Sequence, residues 1–422
     1  MFALLSAARK ALTGRDQAPR DTRTEGAAAP RRSLRASRRT LVLTLPALAL
    51  ATACQPVSMG GTGPSINTSQ PVPVALLVPK GSGKSGDAIL SASLENAARL
   101  AASELNGVQI DLRVYDTQGS ADVTAAVTSQ AISDGAKIIL GPVYAANANA
   151  AGRVAASRGV NVLAFSNNPE IAGGNVFVLG PTFQNTADRL TRYAVAQNKG
   201  RIVLVHGQTP EGQAGASAVQ SAALRNGASV VGTVPYEFSQ QGVLNAVPSV
   251  RQAAGGGTAA GGADAIFLTA NTAGALPLFT QMLPENGLGA DKIQYIGLTR
   301  WDIPPQTLDL PGVQGGWFAL PDPGLTAQFN ARYAAAYGAA PHPIGGLAFD
   351  GIAAIGALVR QGRSDALSAS GLTQGSGFQG VGGVFRLLPD GTNERGLAVA
   401  TIQNRQVQVI DPAPRSFSGA GF

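Results

Sequence analysis

Residues spaced to hold a phosphate come early in the chain. Segment 74–87 reads VALLVPKGSGKSGD: an apolar run, a glycine-rich loop, then polar residues that open a helix. Gly83-Lys84-Ser85 is the tail of a P-loop, and Gly81, Gly83 and Gly86 satisfy G-x-G-x-x-G. Neither pattern is complete. The first glycine of a P-loop falls on Val78, and Pro79 lacks an N–H where backbone donors should cradle phosphate. The acid that would hold a ribose belongs about 20 residues on, whereas Asp116 lies 30 beyond Gly86. Nucleotide binding is therefore not expected. The loop is read as a flexible connection at the C-terminal end of a first parallel strand, where open α/β sheets take their ligands.

Other chemistry is scarce. The two histidines, His206 and His342, stand in no metal-ligand spacing. No G-x-S-x-G occurs, and no lysine follows a serine by three. No catalytic residue, metal site or cofactor is expected. What remains are polar and aromatic residues at strand ends. Tyr144 and Asn147 follow KIILGPV; Ser166, Asn167 and Asn168 follow VNVLAF; Trp301 follows YIGLTR. Thr209, Glu211 and Gln213 open a helix whose N–H groups would face a cleft. The asparagines and serine serve either as caps and turn formers or as the lining of a ligand crevice. Trp301 either stacks on a ligand or packs between lobes.

The elements that must position these residues alternate. VPVALLV, QIDLRVYD, KIILG and VNVLAFS are near-continuous apolar strands separated by amphipathic helices. That pattern argues for buried parallel strands with helices on both faces. In the first helix Leu90, Leu94, Ala97, Ala101 and Leu105 share a face. The pattern pauses at NVFVLGPTF and restarts over 185–298 with a second unit of similar order. Two further helices follow, over 325–337 and 345–361, and VFRLLPDG, GLAVATIQN and RQVQVI form an antiparallel ending. The expected fold class is α/β, with two Rossmann-like lobes joined by several hinge crossings. The expected division is 72–181 plus 320–376 for one lobe and 182–319 plus 377–412 for the other, with a small polar ligand in the cleft.

The first 54 residues bear on location. RRSLRASRRT carries five arginines and no acid, and LVLTLPALALATA leads to Cys54, the only cysteine. A basic segment, an apolar stretch and small residues are the parts of a secretory signal, here residues 1–53. Thirteen residues cover about 20 Å of helix, short of a bilayer core of roughly 30 Å. Leu50-Ala51-Thr52-Ala53-Cys54 resembles the lipobox of bacterial lipoproteins, which implies lipidation of Cys54 and a membrane anchor. Ser37-Arg38-Arg39-Thr40-Leu41 resembles a twin-arginine export signal. Residues 54–71 then read as a flexible tether. Gln55 after the cysteine fits sorting to the outer membrane, on the periplasmic side.

The charge balance agrees with removal of this leader. Residues 1–53 hold ten Lys and Arg against three Asp and Glu, which is the whole of the net +7; residues 55–422 hold 22 of each sign. The remainder has no net attraction for phosphate backbones, and no nucleic-acid partner is expected.

YDTQG (115–119), KIILGPV (137–143), GVNVLAFSNNP (159–169), NVFVLGPT (175–182) and GFQGVGGVFRLLPDG (377–391) resemble the type I periplasmic binding proteins of the leucine-binding type. The resemblance implies a non-enzymatic clamshell of two lobes joined by three crossings. In amino-acid binders of that superfamily a serine-rich loop holds the ligand; Tyr144-Ala145-Ala146-Asn147 stands there in this chain. FSNNP and GLTRWDIPP before GGWF look more like the lipoprotein branch called penicillin-binding protein activators. That likeness implies regulation of a peptidoglycan synthase. The alternative is the solute-binding component of an ABC importer, with a permease as partner and amino acids or related small polar solutes as cargo.

Overall fold

A computed structural model describes residues 63–255 and 262–417. Residues 1–53, read above as a secretory signal, and Cys54 and Gln55 lie outside the described residues, as does most of the low-complexity stretch 253–262.

The first sheet is formed by β1 (Val72–Val78), β2 (Ile110–Asp116), β3 (Ile138–Leu140), β4 (Asn161–Ala164) and β5 (Val176–Val178). Its strands are all parallel, in the order β2-β1-β3-β4-β5. Alternation along β1 sends Val74, Leu76 and Val78 into one core and Ala75 and Leu77 into the core on the other face. Both faces are covered, which explains why the strand reads as a continuous apolar run; each buried leucine contributes about 1.5–3 kcal/mol. Helix α1 (Asp87–Ser103) buries Leu90, Leu94, Ala97 and Ala101 as their spacing predicts. Leu105 lies just past its end. Helices α2 (Ala121–Ser133) and α3 (Ala145–Ala156) complete this part.

The second sheet has seven strands. Helix α4 (Phe183–Ala196) leads into β6 (Arg201–Gly207), α5 (Pro210–Asn226), β7 (Ser229–Tyr236), α6 (Gln240–Ala253), β8 (Ala265–Leu268), α7 (Leu276–Glu285), β9 (Gln294–Gly297) and β10 (Trp317–Leu320). The chain then forms α8 (Pro323–Tyr337) and α9 (Gly346–Val359) against the first lobe. A three-stranded antiparallel sheet follows, of β11 (Phe378–Gly380), β12 (Gly383–Leu387) and β13 (Asn393–Arg395). Strands β14 (Ala398–Gln403) and β15 (Gln406–Asp411) finish the second sheet, in the order β15-β14-β10-β9-β8-β6-β7 with β14 antiparallel to β10. The result is the expected two-lobed α/β architecture. No helix among the described residues is long and apolar enough to cross a membrane.

The chain passes between lobes near 179–182, 321–322 and 396–397, and side chains tie these passages together. Asn393 Nδ2 donates to the carbonyls of Val178 (2.8 Å) and Gly180 (2.9 Å), and Asn185 Nδ2 donates to Asn393 O (2.8 Å). Arg395 donates to Leu179 O and pairs with Asp350 of α9 at 3.2 Å. Burial drives the Asp350 carboxyl upward, against the pull of the Arg395 charge and the Val381 N–H.

Two expectations need correction. Residues 63–71 are not a free tether, because Ile66 is buried in the first core and its N–H donates to Ser364 O (2.9 Å). One branched apolar side chain in a polar stretch was enough to seat it. Residues 377–412 do not belong to the second lobe as one piece: Phe378, Phe385 and Leu387 join the first core, and only β14 and β15 enter the second sheet.

Candidate functional site: two topological switch points

In an open α/β sheet, the crevice forms where successive connections leave a strand in opposite directions. In the first lobe that point lies between β1 and β3, flanked by the loops 79–86 and 141–144. In the second it lies between β6 and β8, flanked by 208–209 and 269–275.

The glycine loop occupies the first switch point and is organised around a carboxylate. Ser82 Oγ donates to Asp87 Oδ2 and Tyr144 Oη donates to Asp87 Oδ1, each at 2.6 Å. Asp87 sits in the first turn of α1, so the protein's own anion takes the place a phosphate would need at that helix N-terminus. Gly83 and Gly86 hold φ of 73° and 88°, a backbone region that other residues enter only with strain. The turn they make sets the Lys84 ammonium 4.2 Å from the centre of the Tyr144 ring. Burial and then the bond to Asp87 push the Tyr144 hydroxyl up to about 12, so it remains a donor at neutral pH.

Tyr144 is the N-cap of α3 and supplies no side-chain cap. Asn147, in the same first turn, is buried and its Nδ2 has no acceptor. The next loop behaves differently. Ser166 Oγ accepts from the Asn168 N–H (3.1 Å), and Asn168 Oδ1 accepts from the Glu170 N–H (2.9 Å). Those two bonds are the work of turn formers. Asn167 is exposed.

At the second switch point Thr209 caps α5 by accepting from the Gly212 N–H (3.1 Å), and Glu211 and Gln213 are exposed on its first turn. Tyr236 closes β7 nearby; burial and then the Glu211 charge push its hydroxyl up to about 12. Thr269 Oγ1 and Asn271 Oδ1, after β8, are buried without partners. Sequence reasoning missed both, and it weighed Lys84 only as a phosphate ligand. The signal that finds all three is strand order, which local pattern does not contain.

Trp301 is not at either switch point. It follows β9 and is wholly buried in the second core. Its ring fills space left by two glycines: a Cβ at Gly297 would come within 2.2 Å of Nε1, and one at Gly316 within 2.2 Å of Cζ3. The tryptophan is a packing residue, which removes it from the candidate ligand contacts. A separate cavity of about 350 Å³ lies beside the crossings, lined by Pro181, Pro321, Phe329, Leu347, Arg300 and Arg395 among others. None of the residues nominated from sequence lines it. No cluster of three metal-ligating side chains occurs among the described residues.

Solved structures of similar fold are numerous. One is a protein from Rhodospirillum rubrum named as a putative branched-chain amino acid ABC transporter: TM-score 0.67, 19% identity, 81% of this chain and 100% of that one. An ABC transporter substrate-binding protein from Desulfitobacterium hafniense in complex with Leu follows at TM-score 0.57 and 18% identity, covering 81% and 100%. A solute binding protein of an ABC transporter from Rhodopseudomonas palustris BisB5, in complex with 3,4-dihydroxy benzoic acid, gives 0.55 and 16%, covering 81% and 96%. These likenesses establish the fold. None of the curated proteins matches the chain. The family profile described as periplasmic binding protein matches residues 71–406, from β1 through β14 with every crossing included, and the chain belongs to that family.

Proposed function

We propose that the protein is the solute-binding component of an ABC importer, and that it captures a small polar solute between the two switch points. The observation that carries this reading is the pair of switch points themselves, where open α/β sheets take their ligands; Asn147 Nδ2 in the first lobe and Thr269 Oγ1 and Asn271 Oδ1 in the second are buried and unpartnered there, as atoms such as Trp301 Nε1 are elsewhere. Such atoms cost stability unless a partner arrives. An amide donor on one lobe, and a hydroxyl and an amide oxygen on the other, suit a solute with polar groups at both ends. Tyr144 is the N-cap of the helix that carries Asn147, and Glu211 is in the first turn of α5. Two similar proteins hold leucine and 3,4-dihydroxy benzoic acid, both small carboxylic acids, which supports the same class of cargo.

The activator reading has weaker support. It rests on short sequence likenesses and on Cys54-Gln55, whereas the similar structures whose names state a role are transport proteins. A lipid on Cys54 remains part of the proposal, and Cys54→Ser should release the protein from membranes in cell fractionation; recovery of the lipidated protein with the outer membrane would favour the activator instead.

The test is thermal unfolding with a panel of amino acids and other small acids. A solute at 100 times its Kd stabilises by about 2.7 kcal/mol. A shift that is lost in Asn271→Leu supports capture at the switch points. No shift across the panel, together with recovery of a peptidoglycan synthase in a pull-down, would sink the importer reading in favour of the activator.

A further inference from the structure

The glycine-rich loop that imitates a nucleotide site has a use that its phosphate-like spacing hides. We propose that Lys84 is the specificity-determining cation of the cleft, and that it receives a carboxylate of the bound solute at the β1/β3 switch point. This rests on the solute-binding reading above and adds to it a residue and a charge.

Three observations converge. Asp87 is buried and its two oxygens accept from Ser82 and Tyr144, so it is not presented outward to a solute ammonium. Lys84, on the exposed part of the loop, is therefore the charge that stands beside Tyr144 and open to solvent. Its ammonium lies over the Tyr144 ring face, a contact that holds a cation in place without neutralising it. Lys80, on the same loop, is already beside Asp116 at 4.0 Å.

The second observation is the helix that Tyr144 opens. Helix α3 runs for 12 residues, has no side-chain cap and no acid in its first turn. Its N-terminal N–H groups thus carry partial positive charge that nothing in that turn offsets. The third is Asn147 in that turn, 2% exposed, with an amide donor lacking an acceptor. A cation, a bare helix N-terminus and an unsatisfied donor all favour a negatively charged oxygen. A cationic group there would leave the donor unpaired and repel the ammonium, and a neutral oxygen would satisfy the donor without the added charge attraction.

The chemistry named is a carboxylate, whether from an α-amino acid or from a simple organic acid. The experiment titrates purified protein with leucine, glutamate, succinate and benzoate, and with the amide or methyl ester of each acid that binds, by calorimetry. The expected result is that each acid binds at least tenfold tighter than its amide or ester. Lys84→Met should remove most of that preference and Lys84→Arg should keep most of it. Salt should weaken the acid more than the ester. An amide or ester that binds as tightly as its acid overturns the proposal, as does an unchanged preference in Lys84→Met; in either case solute capture itself still stands. Failure of every compound to bind overturns the solute reading and this proposal with it. The substituted residue is exposed, and circular dichroism of the variant confirms that any loss is one of binding.

Discussion

Tyr144 and Trp301 occupy comparable places: each follows a parallel strand, in the first and the second lobe respectively. Their surroundings send them in opposite directions. Tyr144 lies against a loop whose glycines turn the backbone and bring a lysine over its ring, so its face stays near solvent. Trp301 lies against glycines that leave room for a ring, so it sinks into the core. The difference shows that an aromatic residue at a strand end does not by itself mark a binding site. What decides is whether neighbouring glycines shape a loop or vacate a hole.

The sharpest way to break that comparison is to remove the buried ring. Trp301→Ala should cost about 3–5 kcal/mol in denaturant unfolding, the range for a large aromatic in a core; a loss under about 1 kcal/mol would mean the ring is not packed. Filling the hole instead, with Gly316→Ala, should cost about 1–3 kcal/mol through overpacking. Tyr144→Phe removes one donor from Asp87 and should cost about 1 kcal/mol.

That last variant also has a pH signature. The Tyr144 hydroxyl is raised from about 10 to about 12, so the folded state holds its proton more tightly than the unfolded chain. The associated stability is complete below pH 10 and fades as pH climbs toward 12. Tyr115 and Tyr236 are raised to about 12 as well, so Tyr144→Phe should flatten the alkaline decline in melting temperature without abolishing it. The smallest effect is expected for Lys84→Met, about 0.5–1 kcal/mol from an exposed cation–aromatic contact.

Much of the architecture was legible. Near-continuous apolar strands separated by amphipathic helices pointed to the parallel sheets, and the second unit, read as restarting at residue 185, opens with the helix Phe183–Ala196. Its start lies earlier because Thr182 and Asn185 form a reciprocal cap, each side chain accepting from the other's backbone N–H. The site was legible in part. Tyr144, Asn147 and Glu211 lie on segments beside the switch points and Trp301 is buried in the second core, while Thr269 and Asn271, which the proposal adds, carry no local pattern that marks them. Non-local pairing explains the failures: which strands neighbour each other, and which hairpin joins which core, are settled by packing across hundreds of residues. The allegiance of Phe378 and Phe385 to the first core is such a case.

That allegiance has a consequence for how the chain matures. Aromatic rings supplied from positions 378 and 385 plug a core begun at position 66, so neither half can be completed while the C-terminal end of the polypeptide is still being made. A nascent chain stalled before residue 378 should therefore hold its early strands in a loose, protease-sensitive state, and assembly should be a late, nearly simultaneous event for both halves.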